Sequence, residues 1–345
     1  MASHMGKAWG ILLCALVVPL FSYAQVSLTG LERPLDLAMV PEYPAPGDTV
    51  TFTVSSYGVD LNRSMIVWYA DGREIARGSA LTSTNVTAGK AGTATEIVVV
   101  AQEEDGLIGS AEASVRPTEV DLLWESDSYR PPYFRGRTLS GTNATIRAQA
   151  IVRFVRPDGS AIPEEGIIYS WYKGTARIAS GRGKSSVKMS GPSLFGNDTL
   201  SVMAESADGA YRGRASVRIN GVDPTLELYE NHPLFGVLYH RALTGNATTL
   251  ETELKVTAVP YFAHIAAPHE ASLVYEWALD STALEADPEH PETFTITTNN
   301  YTGPVTVGLS LTSLKDLFLK ATGTWEIVFG ESGSFFGNDP FGHQQ

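Results

Sequence analysis

The sequence contains almost no cysteine. Its single cysteine, Cys14, lies in an apolar segment near the start of the 345-residue chain. No disulfide can form within one chain, and metal sites built from several cysteines are excluded. The fold must therefore be held together by hydrophobic burial and hydrogen bonds alone.

The sequence also lacks the common motifs of catalysis and cofactor binding. It has no Gly-x-Ser-x-Gly nucleophile elbow, no phosphate-binding loop, no Rossmann glycine pattern and no His-Glu-x-x-His pair. A carboxylate pair like that of a glycosidase has no fixed spacing in sequence and stays open. We expect a non-catalytic protein that requires no cofactor.

Long apolar runs are absent except for one, residues 9–21. This run follows Lys7 and ends before small residues at the −3 and −1 positions of a cleavage site after Ala24, which is typical of a secretory signal peptide. We interpret residues 1–5 as a cloning scar and residues 6–24 as the signal peptide. The mature chain is then expected to have no transmembrane segment and to be secreted or associated with the cell envelope.

Three tryptophans recur along the chain at a nearly constant spacing. Trp171 follows Trp68 by 103 residues, and Trp277 follows Trp171 by 106 residues. An apolar, strand-like run ends 33 positions after each tryptophan. Residues 113–116 and residues 215–218 also share the sequence Ala-Ser-Val-Arg. This periodicity predicts three copies of one structural unit.

Each unit contains short alternating strands separated by turns rich in Gly and Pro, which predicts a β-sandwich. We predict an all-β fold of three tandem immunoglobulin-like β-sandwich domains in an extended array, with one tryptophan in the core of each. The predicted domains are residues 25–118, 119–220 and 221–330. Residues 331–345, rich in Phe and Gly, are expected to form a disordered tail.

The third unit departs from the repeat at its last hairpin. The first two units have an Asp-Gly tip 37 residues after their tryptophans, whereas the third has residues 313–320 in its place. This segment predicts either a longer connection or a single helical turn.

The segments that follow the first two tryptophans resemble a known group of proteins. Residues 68–75 and 169–178 are similar to the third-strand signature of bacterial Ig-like and PKD-like repeats, in which a Trp precedes a polar Gly turn and an aliphatic residue. The resemblance covers all three units and is clearest in the first two. It implies an exported or surface role as spacer, adhesin or filament component, and it implies no catalytic residues.

Charge is distributed unevenly over the units. Residues 26–118 contain 6 Lys+Arg and 12 Asp+Glu, residues 119–220 contain 14 and 10, and residues 221–345 contain 4 and 16. A basic middle unit is suited to an anionic glycan or to an acidic unit of another copy, and the alternative is scattered, solvated charge. The formal net charge of −13 and the predicted export argue against nucleic-acid binding.

The most site-like segment is residues 129–137, which follow the first strand of the second unit. Arginines next to aromatic rings can stack on sugars or pair with carboxylates. The residues predicted to contact a ligand or partner are Arg130, Tyr133, Phe134, Arg135 and Arg137. The third unit has a similar insertion, residues 231–241. The alternative for both insertions is that they pack in the joint with the preceding unit.

Metal binding is not expected, because the histidines of the third unit do not have a metal-binding spacing and no calcium-loop pattern is present. Three aromatic residues of the tail are candidates for docking on a neighbouring sheet edge. They are Phe335, Phe336 and Phe341.

The leading interpretation is a non-catalytic structural or adhesion protein of the cell surface or the medium, whose units contact a protein or a surface glycan. One alternative is a carbohydrate-binding protein that uses residues 129–137. The other is a filament or pilus-associated subunit that self-associates through its tail or an edge strand.

Overall fold

The computed structural model describes residues 33–330 except residues 104, 105, 107, 194, 245, 246 and 300. The interpreted cloning scar, signal peptide and tail lie outside the described residues, as do Phe335, Phe336 and Phe341. The described residues form 24 β-strands and one three-residue 3-10 helix, Glu164–Gly166. None of their helices is long and apolar enough to cross a membrane.

The first unit is a sandwich of two sheets. One sheet has the order β2-β3-β6 and the other has the order β1-β8-β7-β4-β5. The strands are β1 (Arg33–Pro34), β2 (Asp36–Val40), β3 (Thr49–Ser55), β4 (Met65–Ala70), β5 (Arg73–Ser79), β6 (Ser83–Thr87), β7 (Thr95–Gln102) and β8 (Ile108–Val115).

The second unit repeats this plan, with sheets of order β13-β10-β9 and β12-β11-β14-β15. Its strands are β9 (Glu119–Ser126), β10 (Thr145–Arg153), β11 (Ile167–Lys173), β12 (Ala176–Arg182), β13 (Ser186–Ser190), β14 (Asn197–Ser206) and β15 (Arg212–Asn220).

The third unit has two strands more than the second. Its sheets have the order β17-β16-β19-β22 and β18-β24-β23-β20-β21. The strands are β16 (Thr225–His232), β17 (Gly236–Ala242), β18 (Ala247–Thr249), β19 (Glu253–Tyr261), β20 (Leu273–Leu279), β21 (Thr282–Leu284), β22 (Thr293–Thr297), β23 (Gly303–Ser313) and β24 (Lys320–Phe329).

All three units share the topology of an immunoglobulin-like sandwich. Strands β1, β17 and β18 are additional to the seven strands of a sandwich and are left out of the following numbering. The first, second and fifth strands form one sheet in each unit: β2, β3 and β6, then β9, β10 and β13, then β16, β19 and β22. The third, fourth, sixth and seventh strands form the other sheet. The prediction of tandem immunoglobulin-like β-sandwiches is therefore confirmed. Between Ser313 and Lys320 the chain takes the longer connection, and no helical turn forms there.

The strands form because their side chains alternate between core and solvent. In β3 the apolar side chains of Val50, Phe52 and Val54 are buried, whereas the threonines between them are exposed. This period of two places one face of each sheet in a core. Three separate core clusters result, one in each unit.

Each core is centred on one of the three tryptophans, all of which are completely buried or nearly so. In every unit the indole N–H donates a hydrogen bond to a backbone carbonyl two residues before the fifth strand of the sandwich. The bonds are Trp68 Nε1 to Leu81 O at 2.9 Å, Trp171 Nε1 to Lys184 O at 2.8 Å, and Trp277 Nε1 to Pro291 O at 2.9 Å. Because the tryptophan and the fifth strand belong to opposite sheets, this bond ties the two layers together.

We expect Trp171→Phe to lower the free energy of unfolding by about 2–4 kcal/mol. The substitution leaves the Lys184 carbonyl without its donor and leaves unfilled volume in a fully buried site. Urea titration followed by far-UV circular dichroism measures the loss.

Trp124→Phe is the control, because Trp124 is a partly buried tryptophan whose Nε1 has no hydrogen-bond partner among the described residues. This substitution removes an unsatisfied polar atom and should cost less than about 1.5 kcal/mol. Equal losses in the two variants would show that the indole hydrogen bond does not stabilise the sandwich.

Candidate functional site at the joint between the second and third units

The segment that follows β9 leaves the second unit and inserts Tyr129 into the third. Tyr129 N donates to Ala263 O at 2.7 Å, and Phe262 N donates to Tyr129 O at 2.8 Å. The Tyr129 side chain packs against the core cluster of the third unit. Burial raises the pKa of Tyr129 to about 12, with smaller contributions from Tyr239 and Glu292. The two units are therefore joined by a partly buried tyrosine.

A second close approach lies beside this insertion, at Gly141. A Cβ atom at Gly141 would collide with the carbonyl oxygen of Phe262, so the two backbones approach as closely as glycine allows. Gly141 N is satisfied by Ser128 Oγ at 2.9 Å. The joint is thus formed by main-chain contacts as well as by side chains.

Phe134 also belongs to the joint. Its ring meets Tyr261 edge-on with ring centroids 5.8 Å apart, and it meets Phe262 in the same way at 5.9 Å. Both partners belong to the third unit. The third unit therefore engages the Phe134 ring, which agrees with the alternative of a packed joint.

The insertion of the third unit is the hairpin of β16 and β17. Tyr229 and Tyr239 pack across this hairpin with centroids 5.6 Å apart, and the Tyr229 and Tyr261 hydroxyls share a hydrogen bond of 2.6 Å. At its tip, the His232 ring stacks on Phe235 at 4.8 Å. Phe235 nevertheless remains 75% exposed.

The loop of the second unit and the hairpin of the third unit face each other across a cleft of about 510 Å³. Tyr133 and Arg135 line one wall, and Phe235, Tyr239 and His240 line the other. Tyr133 is 90% exposed, so its ring is presented to solvent at the mouth of the cleft. The cleft therefore combines exposed aromatic rings with a guanidinium and an imidazole.

The pKa values of Tyr239 and Tyr261 are raised, so these two phenols stay neutral to higher pH than an ordinary tyrosine. Burial is the largest cause of the raised pKa of Tyr239 and of Tyr261, and for Tyr261 the hydrogen bond with Tyr229 adds to it. Neutral phenols both donate and accept hydrogen bonds. These tyrosine hydroxyls in the cleft wall can thus pair with a hydrogen-bond donor or with an acceptor of a ligand.

Of the five side chains predicted to contact a ligand, Tyr133, Phe134 and Arg135 line the cleft. Arg137 instead lies over the Trp124 ring, with its guanidinium carbon 4.4 Å from the ring centroid. Arg130 is exposed and does not line the cleft. Contact with a ligand stays a prediction for all five.

Sequence reasoning did not connect the hairpin residues with this loop. The insertion of residues 231–241 was visible as a departure from the repeat, but its partner across the cleft was not. Phe235 and Tyr133 are 102 positions apart, and only the geometry of the joint brings them to one cleft.

The altered last hairpin of the third unit closes the other side of the joint. Asn143 Nδ2 of the second unit donates to Asp316 Oδ2 of this connection at 3.1 Å. Nearby, Lys315 Nζ lies 3.0 Å from Glu270 Oε1 and is the largest cause of the lowered pKa of Glu270. Among the residues that the structure describes, no group of three or more His, Cys, Asp or Glu side chains is arranged to hold a metal ion.

No family model and no curated protein matches the sequence. Several solved structures are similar to this chain. The fibronectin(III)-like modules of Clostridium thermocellum CbhA are 15% identical over 54% of this chain and 94% of theirs, with a TM-score of 0.27. The central fibronectin-III array of RIM-binding protein is 10% identical over 86% of this chain and 96% of its own, with a TM-score of 0.31.

A third similar structure is Bacteroides ovatus SGBP-B, solved in complex with a mixed-linkage heptasaccharide. It is 10% identical over 86% of this chain and 70% of its own, with a TM-score of 0.25.

The shared core leads to a prediction about Tyr129. Tyr129→Ala should lower the free energy of unfolding by about 3 kcal/mol, because it removes a ring that packs against the core of the third unit. Thermal and urea unfolding of the whole chain measure the effect.

Tyr133→Ala is the control within the same loop, since this ring is 90% exposed. It should change stability by less than about 0.5 kcal/mol. If both substitutions cost the same, Tyr129 is not part of the third core in solution.

Proposed function

We propose that this chain is a non-catalytic adhesion protein, secreted or held at the cell surface, and that the cleft between its second and third units binds a glycan. The observation that supports the proposal most directly is the convergence of exposed aromatic rings from two different units on one cleft. Large exposed aromatic side chains on a folded protein commonly mark a contact site.

The chemistry of the cleft fits a sugar chain. A sugar ring has an apolar C–H face that packs on an aromatic ring, and it has hydroxyl groups at its rim. Tyr133 and Phe235 offer exposed rings, while Arg135 and His240 offer N–H donors beside them. Concave sites with apolar walls and a few polar groups are the usual form of small-ligand sites. Arg135 would favour sugars that carry a carboxylate.

Binding without hydrolysis is favoured by the composition of the walls. The described residues that line the cleft include no Asp or Glu. Glycoside hydrolysis normally requires a pair of carboxyl groups on either side of the scissile bond. The cleft therefore offers recognition groups and no acid–base pair.

A glycan array probed with the full chain tests the proposal. Tyr133→Ala should weaken binding to the recognised glycan about tenfold or more, because a central aromatic contact typically contributes more than about 1.4 kcal/mol. Arg135→Ala should weaken binding of acidic glycans more than that of neutral ones. Unfolding curves of both variants should match that of the wild type.

Tyr57→Ala serves as the control, since Tyr57 is an exposed tyrosine of the first unit and lies far from the cleft in sequence and fold. The absence of any glycan signal for the wild type, or equal binding by wild type and Tyr133→Ala, would refute a glycan site in this cleft.

A further inference from the structure

One sheet of the second unit presents a basic outer face. In an antiparallel sheet, residues directly opposite each other project from the same face. Tyr172 projects away from the core because its neighbour Trp171 is buried, and Arg177 lies opposite Tyr172. By the same register, Arg182, Arg214 and Arg218 lie on this outer face.

These four arginines are exposed and free to meet an external partner. None of the four forms an ion pair with another described residue. Arg212 differs from them, because it is held by Glu205 at 2.7 Å. Four arginines without an ion-pair partner among the described residues therefore share one face of this sheet, hereafter the basic face, which consists of Arg177, Arg182, Arg214 and Arg218.

The corresponding sheet of the first unit presents the opposite charge. Val98 lies opposite Tyr69, and Glu112 lies opposite Val98 on the outer side, while Glu96 lies two residues from Val98 on the same side. Glu96 and Glu112 are exposed, and neither is paired with a cation among the described residues.

Glu74 occupies the position equivalent to Arg177, opposite the tyrosine that follows the tryptophan. Glu74 is already paired with Arg77.

Both faces include partly exposed apolar side chains beside their charges. In the first unit Val98 is two residues from Glu96 and opposite Glu112, and Val100 follows it along β7. In the second unit Ile168 lies opposite Arg182 and Met203 lies opposite Arg214. Apolar side chains next to charged ones are a usual composition of a protein interface. The acidic face is thus Glu96 and Glu112 with Val98 and Val100 beside them.

We propose that the basic face of the second unit binds the acidic face of the first unit in another copy of this chain. Opposite charges at the rims favour this pairing over the pairing of like faces, which would oppose equal charges. Both faces are exposed within one chain, so the contact is between molecules. Because each copy carries both faces, two copies can form a closed dimer, or many copies can form an open linear assembly.

Sedimentation velocity of the full chain over a range of concentrations tests the proposal. The wild type should associate in low salt and dissociate at about 0.5 M NaCl, where screening shortens the range of charge interactions. Replacing all four arginines of the basic face (Arg177→Glu, Arg182→Glu, Arg214→Glu and Arg218→Glu) should weaken association at least about tenfold, and so should Glu96→Arg combined with Glu112→Arg.

Mixing the two charge-reversed proteins should restore association. The reversed basic face of one protein then meets the reversed acidic face of the other, and the two unaltered faces also match. Neither protein should associate alone, so only mixed complexes are expected. Unfolding curves confirm that the variants are folded.

The control reverses charge on the other sheet of the second unit. Arg147 and Lys188 are exposed cross-strand neighbours there, and Arg147→Glu with Lys188→Glu should leave association unchanged. A wild type that stays monomeric in low salt at about 0.1 mM, a mixture that stays dissociated, or an equal loss in the control would each overturn the proposal. Glycan binding at the cleft is unaffected by any of these outcomes, because no cleft residue is altered.

Discussion

The indole hydrogen bond across each sandwich is the constraint on which the three units depend. A tryptophan that fills the space between two sheets must place its N–H somewhere, because a buried donor without a partner costs free energy. In each unit the indole N–H donates a hydrogen bond to the backbone carbonyl of a residue 13 or 14 positions later, just before the fifth strand. This bond sets where the chain crosses from one sheet to the other. The rest of the repeat is then free to vary in its loops.

Much of this architecture could be predicted from the sequence, because the tryptophan spacing and the alternation of apolar residues are local signals. The apolar run that ends 33 positions after Trp68 lies in strand β7, Thr95–Gln102. No such run marks the fifth strands β6 and β13, because each is short and contains mostly polar residues. Their place in the sheet comes from pairing with β3 and β10 and from the tryptophan bond behind them, neither of which is visible in a short window.

The candidate site was only half predictable for a related physical reason. Arginines and aromatic residues mark the loop of the second unit. The sequence does not show which of these side chains pack inside the joint and which remain exposed. Phe134 is engaged by the third unit and Arg137 by Trp124, whereas Tyr133, whose backbone φ is 65°, is exposed. The contacts of Phe134 are with residues more than a hundred positions away, so a local window of sequence does not show them.

The features that distinguish the three copies lie largely at the second joint, and this has a consequence for binding. Opening the cleft would require Tyr129 to leave the third core and the main-chain bonds beside it to break. Walls fixed in this way lose little conformational freedom when a ligand binds, which favours affinity. The outer sheet faces of the first two units take no part in the joint. The proposed glycan cleft and the proposed pairing of faces are compatible, and together they predict that several weak glycan contacts in an assembly would sum to strong attachment.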